Sequence, residues 1–441
     1  MVENERENGG REAGVIFAWL PVRLFFSLIV GLLVLSCRQE EPQPTELPVV
    51  ALPSATAVSP YPVPTIQLTE PYPVVVATDV VGETAVPTLQ NTPNPETASE
   101  IYLPAVVDTM PEGTATPTSI PMLDFAALQT QLQAEGQMLV YNKIGFHAGV
   151  NGTIEGLEEW MRQLDAAGVP FFIKTADNAE PVYIAQELMK QSGVPHTLVY
   201  RKASGGDIYN VPNYDLPPAE AAQIHWQLHT EAFPPELDPS LVWLETINEV
   251  DKNRSEWLAE FALETAKLAL RDGYKWAAFG WASGEPEPED WQSPAMLEFL
   301  RLAAANPDRI AIALHEYSYL VDDIGHEYPY KIGRFQELFR ICDQYGIPRP
   351  TVLITEWGWT YEDVPEPEQA LRDIDWAAHL YAPYPQVKGA AIWFLGGGNF
   401  SNIHVKTQRL IRPLTDYSLQ HYFTALLPPN QEPIDAGRYQ P

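Results

Sequence analysis

The sequence predicts an α/β chain whose main domain is a (β/α)8 TIM barrel, on three observations. Between about residues 121 and 427, apolar strand-like runs alternate eight times with amphipathic helical stretches. The strand runs are continuously apolar, as expected when a parallel sheet is covered on both faces. The helical stretches repeat apolar residues every three or four positions, and several stop at Gly. An open doubly wound sheet is the competing architecture. It would call for a phosphate-cradling Gly loop after the first strand, and the GFHAGVNG segment starting at Gly145 is a poor one.

In chain order, the first strand is expected at MLVYNKIGF from Met138, the second at PFFIKT from Pro170 and the third at HTLVYR from His196. The fourth is LVWLETIN from Leu241 and the fifth KWAAFGW from Lys275. The last three are IAIALHEY from Ile310, TVLITEW from Thr351 and KGAAIWFL from Lys388. The helices between them include GLEEWMRQLDAAG, AQELMKQSG, AEAAQIHWQLH, SEWLAEFALETAKLALRDG and AMLEFLRLAAA.

Ahead of this domain the composition is not globular. The chain has 441 residues, of which 42 are Pro, and much of the excess lies near the N-terminus. Residues 1–37 read as an address: Arg23 precedes an apolar run from Leu24 to Leu35, about the length of a signal-peptide core and short for a membrane span. The run ends in Val-Leu-Ser-Cys at 34–37, which resembles a bacterial lipobox and implies lipidation at Cys37. An uncleaved signal anchor is the other reading. Either one expects the bulk of the chain outside the cytoplasmic membrane, held to it by a lipid anchor or a span. Residues 38–120 carry many Pro, Thr and Val residues, with Arg38 as the only basic side chain. Pro at this density breaks helices and sheet ladders, so a stiff tether is expected, with a reach on the order of 250 Å at ~3.1 Å per residue. Residues 428–441 form a short C-terminal tail.

The formal charge of −31 disfavours nucleic acid as a partner, because phosphates would be repelled. Of the two cysteines, Cys37 belongs to the leader, so the domain holds one thiol, Cys342, and no internal disulfide. Cys342 lies in a helical pattern and reads as a small core residue.

In a (β/α)8 barrel, chemistry sits at the C-terminal ends of the strands. Those ends gather His147, then Lys174 and Asp177, then Arg201, then Asn248 and Glu249, then Trp281 and Glu285. The later strands add His315 and Tyr317, Glu356 with Trp357 and Trp359, and Trp393 followed by Gly-Gly-Gly-Asn at 396–399. Acids, aromatic faces and hydrogen-bonding groups on one rim suit a sugar ligand. Two strands that each deliver one carboxylate, Glu249 and Glu356, are what a retaining glycosidase requires. His225 and His229 stand four apart on a helix, but without an intervening Glu, and helices lie outside the barrel; no metal is expected there.

The pattern resembles clan A of the glycoside hydrolases, with the cellulase-like family 5 closest. Its fourth-strand Glu-x-x-Asn-Glu appears as Glu245, Asn248 and Glu249. Its sixth-strand His-x-Tyr appears as His315 and Tyr317. The seventh-strand Glu-aromatic-Gly is Glu356, Trp357 and Gly358, and the eighth-strand Trp is Trp393. The resemblance implies Glu249 as general acid/base, Glu356 as nucleophile, Asn248 on the sugar 2-hydroxyl, Tyr317 orienting Glu356 and Trp393 as the floor of the scissile subsite. Lys174, Trp281, His315 and Trp359 are further expected substrate contacts. It covers the fourth to eighth strands. In the first half Lys174 stands near the family's Arg, no residue of HTLVYRKASG matches the third-strand His, and Val250 replaces the usual Pro. For the roles to work, Glu249 should be raised by burial and by Glu356, while Glu356 stays ionised. The reading needs no cofactor and takes an oligo- or polysaccharide as substrate. Its rivals are a non-catalytic sugar-binding barrel and a surface scaffold lipoprotein.

Overall fold

The computed structural model describes residues 123–426 except 153, 361 and 398–400. The leader with Cys37, the tether, the C-terminal tail and part of the Gly-Gly-Gly-Asn loop therefore lie outside the described residues. Among the described residues, no helix is long and apolar enough to cross a membrane.

The chain begins with α1 (Phe125–Ala134) and β1 (Gln137–Val140), then enters the barrel at β2 (Ile144–Ala148), α2 (Leu157–Ala166) and β3 (Phe172–Ala176). It continues through α3 (Ala179–Ser192), β4 (Thr197–Arg201), α4 (Pro218–Glu231), β5 (Val242–Glu245), α5 (Ser255–Asp272), β6 (Lys275–Trp281) and α6 (Pro294–Ala305). The second half runs β7 (Ile310–Tyr317), α7 (Phe335–Gln344), β8 (Thr351–Gly358), α8 (Pro367–Tyr381) and β9 (Val387–Leu395). After it come α9 (Ser401–Gln408), α10 (Ile411–Gln420) and β10 (Phe423–Leu426). Strands β2 to β9 pair in sequence order, all parallel, and β9 closes on β2. The expected (β/α)8 barrel is the observed fold.

One expected strand divides in two. Residues 137–140 are not barrel wall; they pair antiparallel with β10 in a separate two-stranded ribbon. The break is at Asn142, whose side chain bonds both the N–H and the carbonyl of Ile144 and also the Ser418 hydroxyl. A side chain that satisfies backbone groups locally offers the chain an alternative to the ladder.

Period-two alternation fills the barrel interior. Phe172, Val199, Trp243, Ala277, Ala311, Ala313, Leu353 and Ala391 form a core of their own inside the strands. A Cβ on Gly389 would lie 2.4 Å from the Phe172 ring, so only Gly leaves room for that aromatic plug. Outside the strands a larger apolar layer packs against the helices, and Cys342 is buried in it. Burial pushes the Cys342 thiol up to about 12, which leaves it a protonated core residue, as expected.

Candidate active site

The same alternation that builds the interior core builds the site above it. Two residues beyond Phe172, Val199, Trp243 and Ala313 stand Lys174, Arg201, Glu245 and His315, all buried. On β8 the register against β7 shifts, so that Leu314 pairs with Ile354 but His315 pairs with Glu356. The extra residue is Thr355. It bonds inward to Glu245 while its neighbour Glu356 also reaches the interior cluster. A bulge of this kind re-aims a side chain.

Glu356 is the best-ligated group in the cluster. Tyr317 donates its hydroxyl to Glu356 Oε2 at 2.9 Å. The Lys174 ammonium is 3.4 Å from Glu356 Oε1, and His147 Nδ1 is 3.9 Å from the same oxygen. Burial alone would raise the Glu356 carboxyl, but the charges of His315 and Lys174, helped by Arg201, outweigh it and hold the group below its ordinary value. Burial and the adjacent Glu356 charge push the Tyr317 phenol well up, so it remains a hydrogen-bond donor. His147 is driven well below its ordinary range by burial and by Lys174 and Arg201, and is neutral.

Glu249 comes from the β5–α5 connection and is held by its backbone. Its N–H bonds the Gly280 carbonyl at 2.7 Å, and the N–H of Asn248 bonds the Asn210 carbonyl at 2.8 Å. Glu249 itself has φ of +45°, a left-handed conformation rare for a non-glycine residue. The Gly280 carbonyl is presented by a bulge in β6 at which Phe279 and Gly280 take φ of +77° and +56°. A Cβ at Gly280 would approach the Ile247 carbonyl at 3.0 Å and Glu245 Oε1 at 3.3 Å, which favours Gly there.

The two carboxylates converge on His315. Its Nδ1 is 3.2 Å from Glu249 Oε1 and 3.6 Å from Glu356 Oε2. One oxygen of each carboxylate and a His315 ring nitrogen lie within 4.8 Å of one another. Such a trio has the donor types of a metal site. The Lys174 ammonium at 3.4 Å and the field of Arg201 offset part of the carboxylate charge, and both would repel a divalent cation. The donor set therefore fits a carboxylate pair held beside fixed cations better than a resident metal.

Several expectations are corrected. The expectation that Glu249 is raised does not hold: its carboxyl is instead held below its ordinary value, first by the His315 hydrogen bond, against a smaller opposing effect of burial. The Glu249 side chain is 49% accessible, at the open mouth of the barrel, which limits the opposing effect of burial. Trp281 does not face the site. Alternation from Ala277 would aim it inward, but the β6 bulge turns it out, fully buried, with Phe279 stacked on it at 5.0 Å and Trp291 edge-on. Trp359 is also buried, its indole N–H bonded to Asp373 Oδ2 at 2.6 Å and its ring against Trp357. Lys174 is no sugar contact; it is fully buried with its ammonium between Glu245 and Glu356.

Trp393 is part-exposed, edge-on to the His147 ring at 4.9 Å, and so next to Glu356. Asn248 is part-exposed beside Glu249. Asp177, read from the rim, is a loop anchor taking bonds from Lys202 and from the N–H groups of Ala203 and Ser204. His225 and His229 lie on α4, outside the barrel. Burial lowers them to about 4 and about 2, and His225 bonds the Thr246 carbonyl. Arg201 and His147, which the strand ends place on the rim, and Glu245, which the fourth-strand motif contains, carry no expected role from the sequence and are interior members of the cluster. The available signal was parity, each being inward by the count from a neighbouring core position. A cavity of about 230 Å³, lined by Val140, Phe171, Phe172 and Thr197, is at the opposite end of the barrel from this chemistry.

No family model matches the chain, and no curated protein sequence matches it. Solved structures do. An endo-β-1,4-glucanase from Xanthomonas axonopodis pv. citri matches at 12% identity and a TM-score of 0.37, covering 63% of this chain and 99% of that one. A family 5 xyloglucanase from Paenibacillus pabuli matches at 12% identity and a TM-score of 0.37, over 63% and 98%. The YdjI aldolase from Escherichia coli K12 matches at 9% identity and a TM-score of 0.31, over 66% and 94%. Barrels of unrelated chemistry match alike, so what this chain does must be argued from its side chains.

Proposed function

We propose that this chain is a retaining glycoside hydrolase that cleaves β-linked O-glycosidic bonds in an oligo- or polysaccharide. Glu356 is the nucleophile and Glu249 the general acid/base. The observation that carries the reading is the approach of the two carboxylates, with one oxygen of each within 4.8 Å. Double displacement uses carboxyl groups about 5–5.5 Å apart, whereas inversion needs roughly 6.5–9.5 Å to admit a water.

The environments divide the labour. Glu356 is buried, ionised and oriented by Tyr317, as a nucleophile must be. Glu249 is at the mouth, where a leaving group departs to solvent. It is ionised in the free protein, and a bound sugar that covers it and strips its water raises its carboxyl toward protonation. In the first step a Glu356 oxygen bonds the anomeric carbon, the glycosidic C–O bond breaks, and the Glu249 proton goes to the departing oxygen. Glu249 then takes a proton from water, which attacks the anomeric carbon and releases Glu356. Asn248 and the Trp393 face are the proposed sugar contacts, the amide toward a hydroxyl and the indole toward the ring C–H surface.

The proposal extends to place: an N-terminal leader lipidated at Cys37 and a Pro-rich tether that hold the barrel at the outer face of the cell envelope. Metabolic labelling with a fatty-acid probe, lost in Cys37→Ala, tests that part. The catalytic part is tested by screening the full-length chain against para-nitrophenyl β-glycosides and polysaccharides. Turnover with retained anomeric configuration, seen by NMR, is the expected result. Binding without turnover, with Glu356→Ala binding equally, would instead favour a sugar-binding barrel.

A further inference from the structure

One ammonium beneath the site is shared by two carboxylates, and only one of these is proposed to attack the sugar. Lys174 Nζ is 2.7 Å from Glu245 Oε2 and 3.4 Å from Glu356 Oε1, and the Lys174 and Glu245 side chains have no solvent exposure. Thr355 donates its hydroxyl to Glu245 Oε1 at 2.7 Å, fixing the inner carboxylate from the strand that carries Glu356. The shorter contact is to the carboxylate farther from the substrate.

We infer that Glu245 is a positioning residue for the reaction: it draws the Lys174 ammonium away from the nucleophile, and it keeps that ammonium paired when Glu356 gives up its charge. This rests on the glycosidase reading above. The charges balance through the step. Before attack, Glu245 and Glu356 are anionic against cationic Lys174 and Arg201, with Glu249 protonated. As the Glu356–sugar ester forms and the leaving oxygen takes the glycosidic bond pair and the Glu249 proton, Glu356 becomes neutral and Glu249 anionic. The sum is unchanged, but the buried Lys174 has lost one of its two partners. Glu245 is the one that stays.

Without Glu245 the same ammonium would face a neutral ester with no water to solvate it, an expensive state for a buried charge. Before attack it would turn wholly to Glu356, tighten the 3.4 Å contact and draw electron density from the attacking oxygen. Both effects oppose glycosylation. Glu245 Oε1 also stands close to Gly280, 3.3 Å from where a Cβ there would lie, and Gly280 carries the carbonyl that holds the Glu249 N–H.

The test uses the full-length chain as wild type, as Glu245→Gln and as the double variant Lys174→Met/Glu245→Gln, each checked for native fold by circular dichroism. Side-chain carboxyl NMR with isotope-labelled glutamate reads the Glu356 titration, its signal identified by its loss in Glu356→Gln. The expected result is a Glu356 midpoint lower than wild type in Glu245→Gln and higher than wild type in the double variant. On whichever para-nitrophenyl β-glycoside is cleaved, among those of glucose, mannose, xylose and cellobiose, Glu245→Gln should lower kcat/KM by about tenfold or more. A well-folded Glu245→Gln with an unmoved Glu356 midpoint overturns the inference, whatever its activity. If Glu245→Gln does not fold, a double variant whose Glu356 midpoint fails to rise overturns it equally. A wild type that moves none of the glycosides, with the Glu356 shifts present, counts against the glycosidase reading and supports the charge coupling.

Discussion

His315 Nδ1 stands between the two site carboxylates, 3.2 Å from Glu249 and 3.6 Å from Glu356. It lowers both, through a hydrogen bond to the first and through its charge on the second. This sets the pH behaviour expected of the free protein. On the proposed roles Glu249 must be protonated and Glu356 ionised, yet both carboxyls are held below the ordinary Glu value. The profile of kcat/KM, which reports the free enzyme, should therefore peak on the acid side and fall as pH rises through the lowered Glu249 midpoint. The basic limb of kcat, reporting the covered site, should lie at higher pH. Initial rates from acid to neutral pH check this, and coincident basic limbs would contradict it.

Removing either carboxylate separates the two roles. Glu356→Ala should abolish turnover, and added azide should restore it as the glycosyl azide of inverted configuration. Glu249→Ala should lower the rate on substrates with poor leaving groups by about 10²–10⁴-fold, the usual range for a general acid. It should spare dinitrophenyl glycosides, whose leaving group needs no proton. Product analysis by NMR and a leaving-group series provide the measurements.

Tyr317 donates its hydroxyl to Glu356, the proposed nucleophile, at 2.9 Å. Tyr317→Phe keeps the ring and removes the donor. By analogy with other preorganised donors it should lower kcat by about 10²-fold with little change in thermal stability.

Gly280 sits at the bulge whose carbonyl holds the Glu249 N–H. Gly280→Ala puts a Cβ at 3.0 Å from the Ile247 carbonyl, on a backbone with φ of +56°. It should destabilise by about 1–3 kcal/mol and lower kcat more than substrate affinity, because the displaced group, Glu249, is the proposed acid/base. Denaturant unfolding and steady-state kinetics on one preparation would show both.

The tryptophans provide a contrast. Trp281 is fully buried in the outer core, so Trp281→Ala should lower stability by about 3–5 kcal/mol without a specific effect on sugar binding. Trp393 is part-exposed beside His147, so Trp393→Ala should weaken glycan binding first. Calorimetric titration with an oligosaccharide, paired with thermal unfolding, distinguishes them.

The sequence by itself determined the barrel and the identity of its two converging acids. Both follow from short-range pattern: apolar runs of strand length, helical spacing between them, and residue type at each strand end, and each survives small errors of register. What tertiary structure decided are the facts that depend on how neighbouring strands pair. The one-residue shift on β8 brings Thr355 and Glu356 into the same interior cluster, and the bulge on β6 turns Trp281 outward while offering a carbonyl to Glu249. A one-residue slip reverses every side chain beyond it, and nothing local in the sequence announces it. The depression of Glu249 is of the same kind. It depends on a histidine 66 residues away along the chain and on the openness of the barrel mouth.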